Sequence, residues 1–291
     1  MNPSDSNEIT RKYFDSMLVE TRYINSTLPS TKMTFFGKTF ETPIATAALS
    51  HLHNVCENGM AEFALGAKKA GAACFMGMGE DEDLEDMINT GADLIKIIKP
   101  HENNDVVFHK IEHAINHGAL AVGMDIDHSF SGNGGYDNVC GLQMKSKSFD
   151  EIKSFVEASK VPFVVKGVLS VHDAQLSVEA GAQAIIVSHH HGIMPCSVPP
   201  LMVLPDILKA VGGKITVLTD CGFESGMDVF KALALGADGV CVGRNLMEAL
   251  KNGSDGVKAR IEEMNGELKS IMARCGATNI RDIDPTVIHY L

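Results

Sequence analysis

Lys166 interrupts an apolar run, Phe163-Val164-Val165-Lys166-Gly167, where an unpaired ammonium would be costly to bury. A lysine in that setting points at an anion or at the polar edge of a bound molecule; a surface lysine that lays its stem over apolar neighbours is the plainer alternative. His189-His190-His191 follows Ile185-Ile186-Val187-Ser188 directly, and a histidine there is a candidate general base. Together with His51 and His53 the triplet raises a metal site. No carboxylate or cysteine completes the ligand set by spacing, so no metal is expected. Thr219-Asp220-Cys221-Gly222 and Val242-Gly243-Arg244 combine glycine backbone N–H groups with a guanidinium, the materials of a phosphate cradle. Cys196, in Met194-Pro195-Cys196-Ser197, has no paired base by spacing and is read as a loop thiol.

These residues sit on a repeated pattern. Short runs rich in Val, Ile and Ala occur at Ile44–Leu49, Ala72–Gly77, Leu94–Ile98, Ala119–Ile126, Pro162–Val168, Ala184–Ser188, Ile215–Thr219 and Gly239–Gly243. They are apolar on both faces, as buried parallel strands are. Between them lie segments with helical spacing, such as Met60–Ala70, Val107–Asn116, Phe149–Ser159, Val171–Ala180 and Gly226–Leu235. Gly71, Gly91, Gly181 and Gly236 stand where helices should stop. Eight strand–helix units predict one (β/α)8 barrel domain over residues 1–291. An open doubly wound sheet is disfavoured because no GxGxxG follows the first strand. In such a barrel the strands' C-terminal ends carry the chemistry, and all the residues above fall there. Asn7–Tyr13 predicts a short helix, Met33–Thr42 a hairpin under the barrel, Ser129–Cys140 a long loop and Ser254–Arg274 an outer helix. Glu80-Asp81-Glu82-Asp83 reads as the start of a helix, where acidic residues suit the dipole.

Composition narrows the partners. The 291 residues carry 25 Lys and Arg against 37 Asp and Glu, a net charge of −12, which argues against nucleic acid or an anionic membrane surface. No apolar run is long enough to span a bilayer, and Met1–Lys12 lacks the apolar stretch of a secretory signal. Seven cysteines without a CxxC predict reduced thiols and a cytoplasmic protein.

The motifs taken together resemble the FMN-dependent 2-hydroxy acid oxidase and dehydrogenase family. The residues that carry the likeness are Phe163–Val168, Gly181-Ala182, Ile186–His190, Val203–Ile207, Asp220-Cys221-Gly222, Gly226–Ala237 and Val242-Gly243-Arg244, with Pro43–Ala47 at the first strand. The resemblance implies FMN in a (β/α)8 barrel and oxidation of a small molecule's CH–OH group. It implies that Lys166 contacts the flavin and that His190 takes the substrate's hydroxyl proton. Asp220, Gly222, Gly243 and Arg244 would form the phosphate and ribityl site. Thr46, Ala47, Gly77, Lys96 and Ser188 would stand at further flavin positions. A homo-oligomer, tetramer or octamer, is the family expectation.

Some family positions differ. The substrate-carboxylate arginine after the histidine is replaced in His191-Gly192-Ile193, and the strand-three tyrosine and glutamine appear as Ile98 and Lys96. Gly77, Gly123 and Glu224 replace a serine, a threonine and an arginine, and the N-terminal segment with a second tyrosine is shortened. A carboxylate in a dry site needs a compensating donor, for which Lys96, Lys99 and His101 are the candidates. A non-standard substrate is therefore expected. A non-redox FMN enzyme of the isopentenyl diphosphate isomerase kind and a degenerate flavin- or phosphate-binding barrel are the alternatives.

Overall fold

The eight apolar runs form eight parallel strands in a computed structural model that describes residues 4–291; the first three residues of the expected domain lie outside the described ones. The strands are β1 (Ile44–Thr46), β2 (Cys74–Met76), β3 (Leu94–Ile98), β4 (Ala121–Asp125), β5 (Phe163–Val168), β6 (Ala184–Val187), β7 (Thr216–Thr219) and β8 (Gly239–Val242). Each pairs with the next from β2 to β8, and β8 returns to β1 through Val240–Ile44 and Val242–Thr46. The last seam, between β1 and β2, is held by Thr46 N donating to Ala73 O at 3.1 Å and Gly77 N donating to Leu49 O at 2.8 Å. The Thr46 hydroxyl adds to it by accepting from Phe75 N at 2.8 Å. The result is a (β/α)8 barrel.

Its interior is filled by Phe75, Ile95, Ile97, Val164, Ile186, Leu218 and Cys241. The expected hairpin, Met33–Phe35 paired with Lys38–Phe40, adds Met33, Phe35 and Phe40 to the same cluster at the strands' N-terminal end. Its turn is Phe36-Gly37, both at positive φ, the twist that a two-residue hairpin needs.

The helices are α1 (Ser6–Ser16), α2 (Gly59–Lys69), α3 (Asp81–Asn89), α4 (Asn104–Asn116), α5 (Phe149–Ala158), α6 (Val171–Glu179), α7 (Pro200–Val211), α8 (Gly226–Ala234), α9 (Arg244–Ala249) and α10 (Gly253–Arg274). Ser148, Ser170 and Ser225 cap α5, α6 and α8 by accepting from backbone N–H groups of the first turn. The acidic run Glu80–Asp83 does open a helix, with Glu80 and Asp83 in a capping box. The four helix-ending glycines have positive φ. The expected long loop is partly ordered, with a small hairpin at Asn138–Val139 and Leu142–Gln143. Beyond the sequence reading, Met17–Val19 pairs antiparallel with Ile288–Tyr290; three-residue strands carry too few residues to show a period. Among the described residues no helix is long and apolar enough to cross a membrane.

Helix α10 packs across α2 and α8 at positions where those helices carry no side chain. A Cβ on Gly66 would meet Val257 Cβ at 2.6 Å, and one on Gly226 would meet Met264 O at 2.5 Å. Gly226→Ala should therefore push α10 outward and cost about 1–3 kcal/mol. Gly266→Ala, on α10 itself with nothing within 4 Å of its added Cβ, should stabilise by roughly 0.5–1 kcal/mol. Urea unfolding midpoints should move in opposite directions for the two variants.

Candidate active site

The register of β4 against β5 sets Asp125 directly beside Lys166. Lys166 Nζ donates to Asp125 Oδ1 at 2.8 Å, and Lys99, one residue past β3, donates to Oδ2 at 2.7 Å. All three side chains are buried. Burial alone would raise the Asp125 pKa, but the two ammoniums hold it well below the usual carboxylate range. Burial would lower that of Lys166, and Asp125, Asp127 and Asp220 together push it well above the usual lysine value. The ion pairing that the sequence setting of Lys166 demanded is present.

Two residues past the end of β4 stands Asp127. At Gly167, φ +89°, the ladder between β5 and β6 slips, and a side chain there would strike Asp127, with Oδ2 only 2.6 Å from the added Cβ. The missing side chain lets Asp127 reach His190, whose Nδ1 lies 2.9 Å from Asp127 Oδ1. A carboxylate can only accept, so Nδ1 carries a proton, and in the neutral ring Nε2 then keeps its lone pair. Lys166 Nζ stands 3.3 Å from the same Nδ1. His190 and His191 both have left-handed backbones, φ +47° and +56°, a strain of about 1–3 kcal/mol per residue. The Ser188 hydroxyl offsets part of it by accepting from His190 N at 3.0 Å.

The three histidines have separate tasks. His189 is buried; its Nδ1 accepts from Gly192 N at 2.9 Å, so its Nε2 donates to Thr10 Oγ1 of α1 at 2.8 Å. Burial pushes its pKa down, in keeping with a neutral ring. His191 Nδ1 lies 2.6 Å from Asn7 Oδ1, also on α1. Arg11 adds an ion pair to Asp228 of α8 at 2.9 Å, and Phe14 meets Phe223 edge-on. Helix α1 is thereby latched over the ends of β6 and β7. His51 and His53 do not join the triplet, since His53 pairs with Asp83 at 2.7 Å and His51 Nε2 lies 3.7 Å from Cys140 Sγ, whereas His190 stands with two carboxylates, Asp125 and Asp127.

A cavity of about 590 Å³ opens at the C-terminal ends of β1 and β5–β8, within the usual range for small-molecule sites. Of the residues expected from sequence, Ala47, Lys166, His190, Asp220, Gly222, Gly243 and Arg244 line it. Thr46, Gly77, Lys96 and Ser188 lie behind that lining, their polar groups taken up by the barrel itself. The Thr46 hydroxyl joins β1 to β2, Ser188 supports His190, and Lys96 Nζ donates to Gly77 O at 2.7 Å. At the far end α9 has only six residues, so its dipole is small. Positive charge there comes from Arg244 and from Arg260 of α10, which also lines the cavity. Arg260 Nη2 donates to Glu224 O at 2.6 Å and Nε to Asn245 Oδ1 at 2.8 Å. Cys196 is exposed and outside the lining, while Cys221 lines it as a thiol that burial pushes far up.

The burial of Lys96 has a measurable consequence, since it drives the ammonium's pKa down to about 7 from an ordinary 10.5. Between those values the unfolded chain binds more protons than the folded one, so stability should rise with pH across that window. Lys96→Met should flatten the rise. Denaturant midpoints at about pH 7 and about pH 9 would show it, and equal slopes in both proteins would contradict the shift.

The profile of the FMN-dependent dehydrogenase family matches residues 4–148 and 135–290. A 2-hydroxyacid oxidase of Dictyostelium discoideum is 40% identical over 145 residues, 49% of this chain and 37% of that protein. An L-lactate oxidase of Lactobacillus jensenii is 29% identical over 289 residues, covering 88% of this chain and 70% of that protein. The chain thus spans well under half of the first relative's length and about two thirds of the second's. A mandelate oxidase crystal structure with 3,3-difluoro-2-hydroxy-3-phenylpropionic acid superposes with a TM-score of 0.87 at 26% identity, over 95% of this chain and 88% of the other. With the family profile spanning nearly the whole barrel, the chain belongs to the FMN-dependent dehydrogenases, the family of the 2-hydroxy acid oxidases.

Proposed function

We propose that the chain, as a single barrel domain, binds FMN in the mouth cavity and oxidises the CH–OH group of a small 2-hydroxy acid or close analogue. The observation that carries the reading is that His190, paired with Asp127, and Lys166, paired with Asp125, line one cavity together with Arg244 and Arg260. The cavity fits the cofactor's chemistry. Gly243, whose added Cβ would stand 3.3 Å from Ala47 Cβ, Gly222, Arg244 and Arg260 would hold the phosphate, and Lys166 would meet the ring edge with its ammonium. FMN, when bound, supplies a two-electron acceptor. His190 Nε2 takes the proton of the substrate hydroxyl, and Asp127 balances the charge that then appears on the imidazole. Asp220, 3.9 Å from Lys166, keeps the ammonium between carboxylates.

Of the three cations considered in place of the lost arginine, Lys96 is committed to Gly77 O, and His101 is buried with its Nδ1 unpartnered. Lys99 alone belongs to the His190 cluster, through Asp125. None of the three lines the cavity, so none is placed to grip a substrate carboxylate as the two-pronged guanidinium would, which supports a non-standard substrate. Seven free cysteines support a reducing, cytoplasmic setting. The exposed Tyr23, Ile24 and Leu28 support a homo-oligomer, and the net charge of −12 speaks against nucleic acid or an anionic membrane.

Two experiments test this. Arg244→Ala and Arg260→Ala should each weaken FMN binding by about 1.5–3 kcal/mol while leaving riboflavin, which has no phosphate, unaffected. Equal losses for both ligands in a titration would put the phosphate elsewhere.

His190→Ala should retain FMN and slow its reduction by substrate by about 10²–10⁴-fold. His191→Ala should keep much more of the rate, and His189→Ala should lose stability through the α1 latch. Normal flavin bleaching in all three would remove His190 as the base.

A further inference from the structure

Helix α4 and its C-cap carry His109, His113 and His117 at spacings of four, which places them along one face. That face looks onto α3, where Asp81 and Glu85 are also four apart. We propose that Glu85, His113 and His117 form a binding site for one divalent transition-metal ion of the zinc class, on the outside of the barrel and apart from the FMN cavity. None of the three lines that cavity.

Glu85 Oε1 lies 3.1 Å from His113 Nε2 and 3.5 Å from His117 Nε2. Around an ion with bonds of about 2.0–2.1 Å, tetrahedral corners stand about 3.3 Å apart. The separations already match those of a ligand set. His117 Nδ1 donates to His113 O at 2.9 Å, which fixes the proton on Nδ1 and turns the Nε2 lone pair toward Glu85. In the neutral ring two acceptors then face each other, an arrangement that a shared cation satisfies. The backbone carbonyl is also the outer partner that orients a ligating imidazole. On His113 the nearest carboxylate to Nδ1 is Asp81 Oδ1 at 3.8 Å, an ion-pair distance beyond a hydrogen bond. The two rings stand 4.3 Å apart between centroids, close enough to share one ion. Two imidazoles and one carboxylate suit zinc-like ions, whereas magnesium and calcium take shells of oxygen. His117 and Glu85 are part-exposed, which leaves a fourth position for water. An ion there ties α3 to α4, the helices that follow β2 and β3.

The competing reading is a plain ion-pair cluster of protonated histidines. The chelator-treated 291-residue chain, about one unit above the ordinary imidazole pKa, is titrated with zinc chloride and cobalt chloride. The site predicts one saturable ion whose affinity falls at least about tenfold in His117→Gln and in Glu85→Gln. It also predicts a zinc-dependent rise in unfolding temperature that both variants lose. His53→Gln, which removes the separate His53–Asp83 pair, should retain the wild-type affinity and the wild-type thermal response. No saturable binding in the wild type, or binding that survives undiminished in both variants, would overturn the site.

Discussion

Everything at the mouth of this barrel depends on one buried carboxylate. Asp125 sits between two ammoniums in a place where any of the three charges alone would be prohibitively costly to bury. Each cation satisfies one oxygen, so the carboxylate cannot rotate and neither lysine can leave without stranding it. The wider cluster holds Lys99 and Lys166 against Asp125, Asp127 and Asp220. A proton arriving on His190 therefore enters surroundings with one more carboxylate than ammonium. That is electrostatic preparation for the charge that the proposed reaction creates, built before any substrate binds.

Placing His190, the proposed proton acceptor, takes several departures from regular structure. The slip at Gly167 makes room for Asp127, and two successive left-handed histidines swing the His190 ring back over β4 and β5. Strained residues persist only where their surroundings over-determine them. Here the determinants are Ser188 beneath His190 N, Gly192 and Thr10 around His189, and Asn7 against His191. The His189–Thr10 and His191–Asn7 contacts bring in α1, an element outside the strand–helix repeat.

How legible the protein is in its sequence follows from the same division. The eight strands, the helix-ending glycines and the hairpin under the barrel could all be read, because each is a local pattern of a few adjacent residues. Lys166 stood out because a charge in an apolar strand is a conflict that only tertiary structure resolves. Asp127 did not, although Asp-Ile-Asp at the end of β4 sets two carboxylates two residues apart. Its role depends on a missing side chain forty residues later. Spacing alone did not separate the three histidines, and only the family resemblance singled out His190; the partners on α1 are what set His189 and His191 apart from it. Lys96 and Ser188 were legible as strand-end residues, but the carbonyl and the N–H that engage them turn their polar groups away from the cavity.

Arg260 shows the limit most clearly. It lies on α10, far along the chain from any strand end, and reaches the cavity because α10 nests against the bare backbone of Gly66 and Gly226. Glu224 meanwhile stands on the β7 loop at the same end of the cavity, where the family resemblance anticipates an arginine. Its backbone carbonyl, and not its carboxylate, anchors the Arg260 guanidinium. Beside Arg244, the second positive charge at that end thus comes from an outer helix instead of the β7 loop. The proposed base and the proposed phosphate site draw on different strands, β4–β6 for one and β7–β8 with α10 for the other, while α1 touches both, since Asn7 Oδ1 lies 2.6 Å from His191 Nδ1 and accepts from Arg244 Nη2 at 3.4 Å. A change that loosens α10 should disturb how the phosphate is held while leaving the Asp125 network standing, because no hydrogen bond connects Arg260 to that network.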